Sequence, residues 1–323
     1  TDGLITVTST ASVNCTVTNC TFGTSALPVA IAIQCDTGVD QVGHVISGNT
    51  IYAGKAGAAA IMLDVAGSNS VISNNLIRFP DSSIPTAYGI SLKGYDYNPL
   101  DDAFVKNVVI SNNNIYQAGI GIFLEAWTDG CSITGNTITG MDAGGAETGI
   151  YILSAAATGG TENDVKRHSI IGNIISGGDY GIRCTENQPG EGHLISGNTI
   201  RDSAINGLLM VEPRDCLVNN NLFQGCSTGS SAIAVVKLTD ALRCSISVNV
   251  INTPATANAP RGIELDSTGA TAVKQNSIVG NVISCGDAGA TGTGVFVDGD
   301  TEDTNLSNNT CCETATPETG LRA

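Results

Sequence analysis

Charged residues make up only 14% of this 323-residue chain and aromatic residues only 4%. Fourteen Lys and Arg face thirty Asp and Glu, for a formal net charge of -16. So few cations argue against a nucleic-acid partner, because that binding relies on Lys and Arg neutralising phosphates. The same charge repels polyanions unless a local basic patch compensates, which favours neutral or mixed ligands. No apolar run approaches the roughly 18 residues of a membrane-crossing helix. The start, TDGLITVTST, lacks the basic and apolar regions of a signal peptide. Lys, Arg and Met are scarce while Gly numbers 39, a composition suited to short strands and tight turns rather than helices.

What is present is a repeat. The phrases HVISGNTI, SVISNNLI, VVISNNNI, CSITGNTI, HSIIGNII, HLISGNTI, CLVNNNLF, CSISVNVI, NSIVGNVI and TNLSNNTC each carry an equivalent Asn, from Asn49 and Asn75 through Asn281 to Asn309. CTVTNCTF is an eleventh relative, with Cys20 at the Asn phase. Between them recurs a second phrase, as in GISLK, GIFLE, GIYIL, GIRCT and GIELD, with AIAIQ and AIMLD as earlier relatives. Both alternate apolar and variable residues, which predicts two short strands per repeat with one face turned to a core. One such repeat cannot bury its apolar face alone, whereas stacked coils bury a continuous core. The repeated Asn is expected to take the left-handed conformation of a sharp bend and to bond from rung to rung.

These phrases resemble the right-handed parallel β-helix superfamily of pectate lyases, polysaccharide epimerases and hydrolases, and phage tailspikes. The resemblance covers nearly the whole chain. It implies an all-β, right-handed, single-stranded parallel β-helix of about 10–11 coils, with residues 1–323 as one domain. The chain starts inside a strand phrase and ends soon after NLSNNTC, so a mature product or a piece of a longer chain is expected. Uncapped strand edges need covering, and the tailspike resemblance implies a parallel homotrimer, on a virion surface or extracellular.

His44, His168 and His193 all stand five residues before a repeat Asn, where Cys15, Cys131, Cys216 and Cys244 also fall. Counting by twos from the inward apolar residue turns this phase inward, so the column reads as an internal stack. Ligands on one straight column cannot close a tetrahedron, so neither metal nor cofactor is expected. Eleven cysteines leave at least one thiol outside any intrachain pairing. Cys216 and Cys244, on adjacent rungs, are within reach of a disulfide; the cysteines are nevertheless expected to be core thiols of a chain folded in a reducing compartment. Asp298, Asp300, Glu302 and Asp303, near Glu264 and Asp266, read as a solvated acidic edge in preference to a calcium site.

Insertions can only project outward from a stack, where they build walls. The excursions Gly89 to Asn113 and Gly149 to Asn173 are the long ones, flanking the shorter one that follows Gly121. The floor between them, GIFLEAWTDG, holds the only Trp. Phe123, Glu125, Trp127 and Asp129 are expected on it, with Tyr95, Tyr97, Asp101 and Asp102 on one wall and Tyr151, Arg183, Glu186 and Glu212 beyond. Aromatic faces beside carboxylates suit sugars, whose CH faces and hydroxyls they match. A polysaccharide is therefore the expected partner, with glycoside hydrolysis favoured. Glu125 and Glu186 are the expected catalytic carboxylates, two rungs apart, with Asp129 as substitute. The alternatives are a structural or adhesive fibre segment, or a lyase or epimerase acting on uronates, for which Lys93, Arg183 and Arg214 are the available cations.

Overall fold

A computed structural model describes residues 3–9, 14–23, 29–35, 43–53, 59–64, 67–80, 87–96, 102–103, 105–141, 147–154, 165–228, 234–253, 261–268, 273–285, 293–298, 301–312 and 316–319. The described strands form three main parallel sheets of twelve, eleven and eleven strands, and each sheet adds strands strictly in chain order. The second phrase supplies the twelve-stranded sheet, as in Tyr88–Lys93, Ile120–Glu125 and Thr148–Ser154. The Asn phrase supplies the other two, because it is cut in half: Ser132–Thr134 enters one sheet and Thr137–Met141 the next. Each coil is thus three-sided, with one more strand than the alternation alone predicts.

The cut lies one residue earlier than expected. The left-handed residue is the one before the ladder Asn, at Gly48, Asn74, Asn112, Gly135, Gly172, Gly197, Asn220, Val248, Gly280 and Asn308. Gly and Asn fill nine of these ten places because they tolerate positive φ. The ladder Asn is freed from that duty and turns inward. From Asn49 to Asn309, each Nδ2 donates to the next rung's Oδ1 at 2.9–3.0 Å. The same Oδ1 accepts the backbone N–H of the preceding rung's Asn, as in Asn136 N to Asn173 Oδ1 at 2.9 Å. A buried polar column is tolerable only when satisfied in this way.

Around the ladder the core is aliphatic, with Ile133 and Ile138 stacked on Ile170 and Ile175 in successive coils and all of them buried. The glycine that opens the second phrase belongs to this packing. A Cβ at Gly121 would meet Ile138 Cγ2 at 2.5 Å and Gly149 O at 2.6 Å. That close approach explains why the phrase begins Gly-Ile.

His44, His168 and His193 lie in the interior, as their phase predicts. Each Nδ1 accepts the backbone N–H of the preceding rung, from Cys15 (3.1 Å), Cys131 (3.1 Å) and His168 (3.2 Å) respectively. The His168 and His193 rings stack with centroids 5.3 Å apart. Because Nδ1 of His168 accepts, its proton sits on Nε2, which meets Thr128 Oγ1 at 3.2 Å. Burial, and then His193, hold His168 well below the ordinary imidazole range. Cys131 and Cys226 are free buried thiols, pushed by burial to about 12 and about 11. Cys216 and Cys244 likewise form no disulfide; their mutual hydrogen bond, followed by burial, raises Cys216.

Candidate carbohydrate site on the outer sheet face

The twelve-stranded sheet presents a second set of columns on its outer face, set by parallel register. Ser91, Phe123, Tyr151 and Arg183 are successive partners in one row. Asp64, Lys93, Glu125, Leu153 and Thr185 form the neighbouring row. Alternation makes both rows outward, since Ile122 and Leu124, which alternate with Phe123 and Glu125, are core residues.

The first row, with Tyr88 packed on it from the row of Ile120, is an aromatic column capped by a cation. Tyr88 stacks on Phe123 with centroids 5.0 Å apart and planes at 15°. Tyr151 tilts against the other face of Phe123 at 5.4 Å. The Arg183 guanidinium lies 5.0 Å from the Tyr151 ring centroid and 4.7 Å from that of Tyr180, a cation–π arrangement. Its buried Nε has no hydrogen-bond partner among the described residues. The Tyr151 hydroxyl meets Thr185 Oγ1 at 2.9 Å.

In the second row Lys93 Nζ stands 3.3 Å from Glu125 Oε2. Asp64, on the other side of Lys93, is only 9% exposed, and its Oδ1 has no hydrogen-bond partner among the described residues. Burial pushes the Asp64 carboxyl up, Lys93 opposes this and Glu125 adds to it. Burial also raises Tyr88, with Glu125 adding to the rise.

Several expected site residues sit differently. Trp127 does not line an open floor: it is 4% exposed. Ala126 and Trp127 both take positive φ, and Trp127 Cβ comes so close to Gly94 that a Cβ there would lie 2.5 Å away. The indole is thus buried instead of presented. Phe123 is outward by register but 6% exposed, because its neighbours' rings cover it. Asp129 turns away to the corner, ion-paired with Arg167.

Glu186 is not the register equivalent of Glu125. Glu125 pairs with Leu153 and Leu153 with Thr185, while Glu186 pairs with Ser154, one residue further on. A one-residue offset exchanges the faces of a strand. The Glu186 side chain itself lies outside the described residues. Glu212 follows Val211, the partner of Thr185, and is half-buried at positive φ.

Of the upstream wall, Tyr95–Asp96 pairs antiparallel with Asp102–Ala103 as a small hairpin, whereas Tyr97 and Asp101 lie outside the described residues. Most of the downstream wall, residues 155–164, also lies outside them. The acidic edge is partly a paired network: Glu264 is buried and accepts from Lys237 (2.9 Å) and Arg261 (2.9 Å). Asp266 holds the same Lys237 at 2.8 Å.

The residues the sequence reading missed are Asp64, Tyr88 and Tyr180. Asp64 had a legible signal, since it ends AIMLD as Glu125 ends GIFLE.

A parallel β-solenoid with a chemically distinctive outer sheet face defines the class. The chain belongs to the right-handed beta helix family, whose profile matches residues 3–165. Residues 153–311 match the profile of NosD, described as a periplasmic copper-binding protein. Among the described residues no three His, Cys, Asp or Glu side chains are grouped to hold a metal, and the Nδ1 atoms of the histidines already accept backbone N–H groups. No curated protein matches the chain in sequence.

Among solved structures, the catalytic unit of the thermostable GH87 alpha-1,3-glucanase from Streptomyces thermodiastaticus strain HF3-3 is similar, with TM-score 0.59 and 13% identity. The match covers 96% of this chain and 64% of that one, so the chain spans somewhat less than two thirds of the glucanase unit. DFA-IIIase from Arthrobacter chlorophenolicus A6, in complex with DFA-III, gives TM-score 0.51 at 13% identity over 82% of this chain and 74% of that one. At these identities the likeness is one of fold.

No helix among the described residues is long and apolar enough to cross a membrane.

Proposed function

We propose that this chain is a polysaccharide-processing β-helix of the periplasm or the cell exterior, and that it hydrolyses glycosidic bonds on the outer face of its twelve-stranded sheet. One observation carries the reading: an aromatic column ending in a guanidinium, Tyr88–Phe123–Tyr151–Arg183, runs beside the Asp64–Lys93–Glu125 row. The half-buried Tyr88 and Tyr151 present ring edges as apolar contact for a sugar, and the charged row bonds hydroxyls and supplies acid and base. The glucanase and the DFA-IIIase of similar fold are carbohydrate enzymes by name, which supports this choice among the functions a solenoid can host.

Glu125 is the first catalytic carboxylate in this reading. The test is a panel of α-1,3-glucan, fructan, capsular and O-antigen glycans and a uronate polymer, assayed for reducing ends and for the absorbance of unsaturated uronates. Hydrolysis gives reducing ends alone, and Glu125→Gln is expected to lower their release at least 100-fold without loss of folding. Unsaturated products would instead identify a lyase, and no product at all an adhesive or structural segment. The finer reading, a homotrimer of tailspike type on a virion surface, rests on the repeat resemblance. It predicts a sedimentation mass of three chains.

A further inference from the structure

We propose that Asp64 is the second catalytic carboxylate, the general acid that protonates the leaving sugar, and that cleavage proceeds with inversion. The proposal rests on the hydrolase reading above and deepens it. Asp64, Lys93 and Glu125 are register partners on three successive strands, so the two acids flank one lysine in a single outward row. Parallel strands lie about 4.8 Å apart, which puts the two Cα atoms roughly 9.6 Å apart. Side chains on Cα atoms at that spacing can hold their carboxyl groups within the roughly 6.5–9.5 Å that leaves room for a water between acid and base.

The two acids differ in surroundings as an acid and a base should. Glu125 has an ammonium 3.3 Å away. Asp64 is nine-tenths buried, and its Oδ1 has no hydrogen-bond partner among the described residues. An orphan buried carboxyl oxygen is costly as an anion and is relieved by holding a proton. Burial raises the Asp64 carboxyl despite Lys93, in the direction a general acid needs.

In the reaction, the Asp64 carboxyl gives its proton to the glycosidic oxygen as the bond from that oxygen to the anomeric carbon breaks. The bond's electron pair stays with the leaving oxygen. A water on the opposite face bonds to the anomeric carbon and gives a proton to the Glu125 carboxylate. Asp64 ends as carboxylate and Glu125 as acid, and exchange with solvent restores both. Lys93 is a positioning residue that holds Glu125.

The experiment uses the full chain and whichever polysaccharide of the panel the wild type cleaves. Asp64→Asn is expected to lower cleavage at least 100-fold, while the deficit shrinks at least tenfold on a dinitrophenyl glycoside of the released sugar, whose leaving group needs no proton. Glu125→Gln is expected to be impaired on both. The first product should carry the inverted anomeric configuration by NMR. An Asp64→Asn chain that cleaves the polysaccharide at the wild-type rate, an equal deficit on both substrates, or retention of configuration overturns the assignment while leaving the hydrolase reading intact. Failure of the wild type to cleave any member of the panel overturns both. Independently of turnover, the Asp64 carboxyl carbon, identified by its loss in Asp64→Asn, should titrate above the ordinary carboxylate range; titration at or below it refutes the acid role.

Discussion

Replacing Asn173 by Ala tests whether the amide ladder holds the stack together. The buried Asn173 side chain donates from Nδ2 to Ile133 O (2.9 Å) and Asn198 Oδ1 (3.0 Å). Its Oδ1 accepts from Asn136 N (2.9 Å) and Asn136 Nδ2 (3.0 Å). Truncation therefore leaves the Asn136 backbone N–H and one Asn136 amide hydrogen without acceptors in the core, although Nδ2 keeps its bond to Ile110 O. Each stranded buried group costs about 1–3 kcal/mol. Two of them, with a small cavity added, give a loss of about 3–5 kcal/mol. Thr137, half-buried on the neighbouring strand outside the ladder, is the control, with about 0.5 kcal/mol or less expected for Thr137→Ala. The assay is urea unfolding followed by circular dichroism, with hydrogen exchange at Asn136 and Asn198, since a solenoid can open locally. A loss below about 1 kcal/mol for Asn173→Ala, indistinguishable from the control, would refute the view that rung-to-rung amides carry stability.

Val248 stands at φ 56° and is 58% exposed, in a column otherwise filled by Gly and Asn. The left-handed region costs a β-branched residue about 1–2 kcal/mol, whereas Asn enters it readily because its short side chain bonds locally, so Val248→Asn is expected to raise stability by about 1 kcal/mol; an unchanged urea midpoint would show that Val248 is unstrained there. His168 and His44 are both held below the ordinary imidazole range, by burial first. Below pH about 6.5 the unfolded chain then takes up protons that the fold refuses, so stability should be full above that pH and fall as pH drops, by up to about 1.4 kcal/mol per unit for each ring. His168→Gln should flatten the slope between pH 6.5 and 5, and a wild-type stability constant over that window would show the rings protonating freely.

The repeat phrases by themselves determined the solenoid. Alternation, the Asn column and the inward phase of His44, His168 and His193 are local patterns, and any parallel stack that buries Ile on one face must place them as found. The bend was legible only to within one residue, because positive φ falls on the residue before each ladder Asn, Gly or Asn in nine cases and Val248 in the tenth, and not on the ladder Asn itself. The outer face was not legible in this way. Excursions between coils vary from 23 to 38 residues between successive ladder Asn residues, so spacing in sequence does not say which outward residue meets which. Only the hydrogen-bonded register set Thr185 rather than Glu186 in the row of Glu125, and set Asp64 there two strands away. Trp127 shows the same division. Its place beyond GIFLE was plain, but the indole is buried, and two consecutive residues at positive φ set the Trp127 Cβ and carbonyl against Gly94, a contact decided by close packing between coils and not by any pattern along the chain.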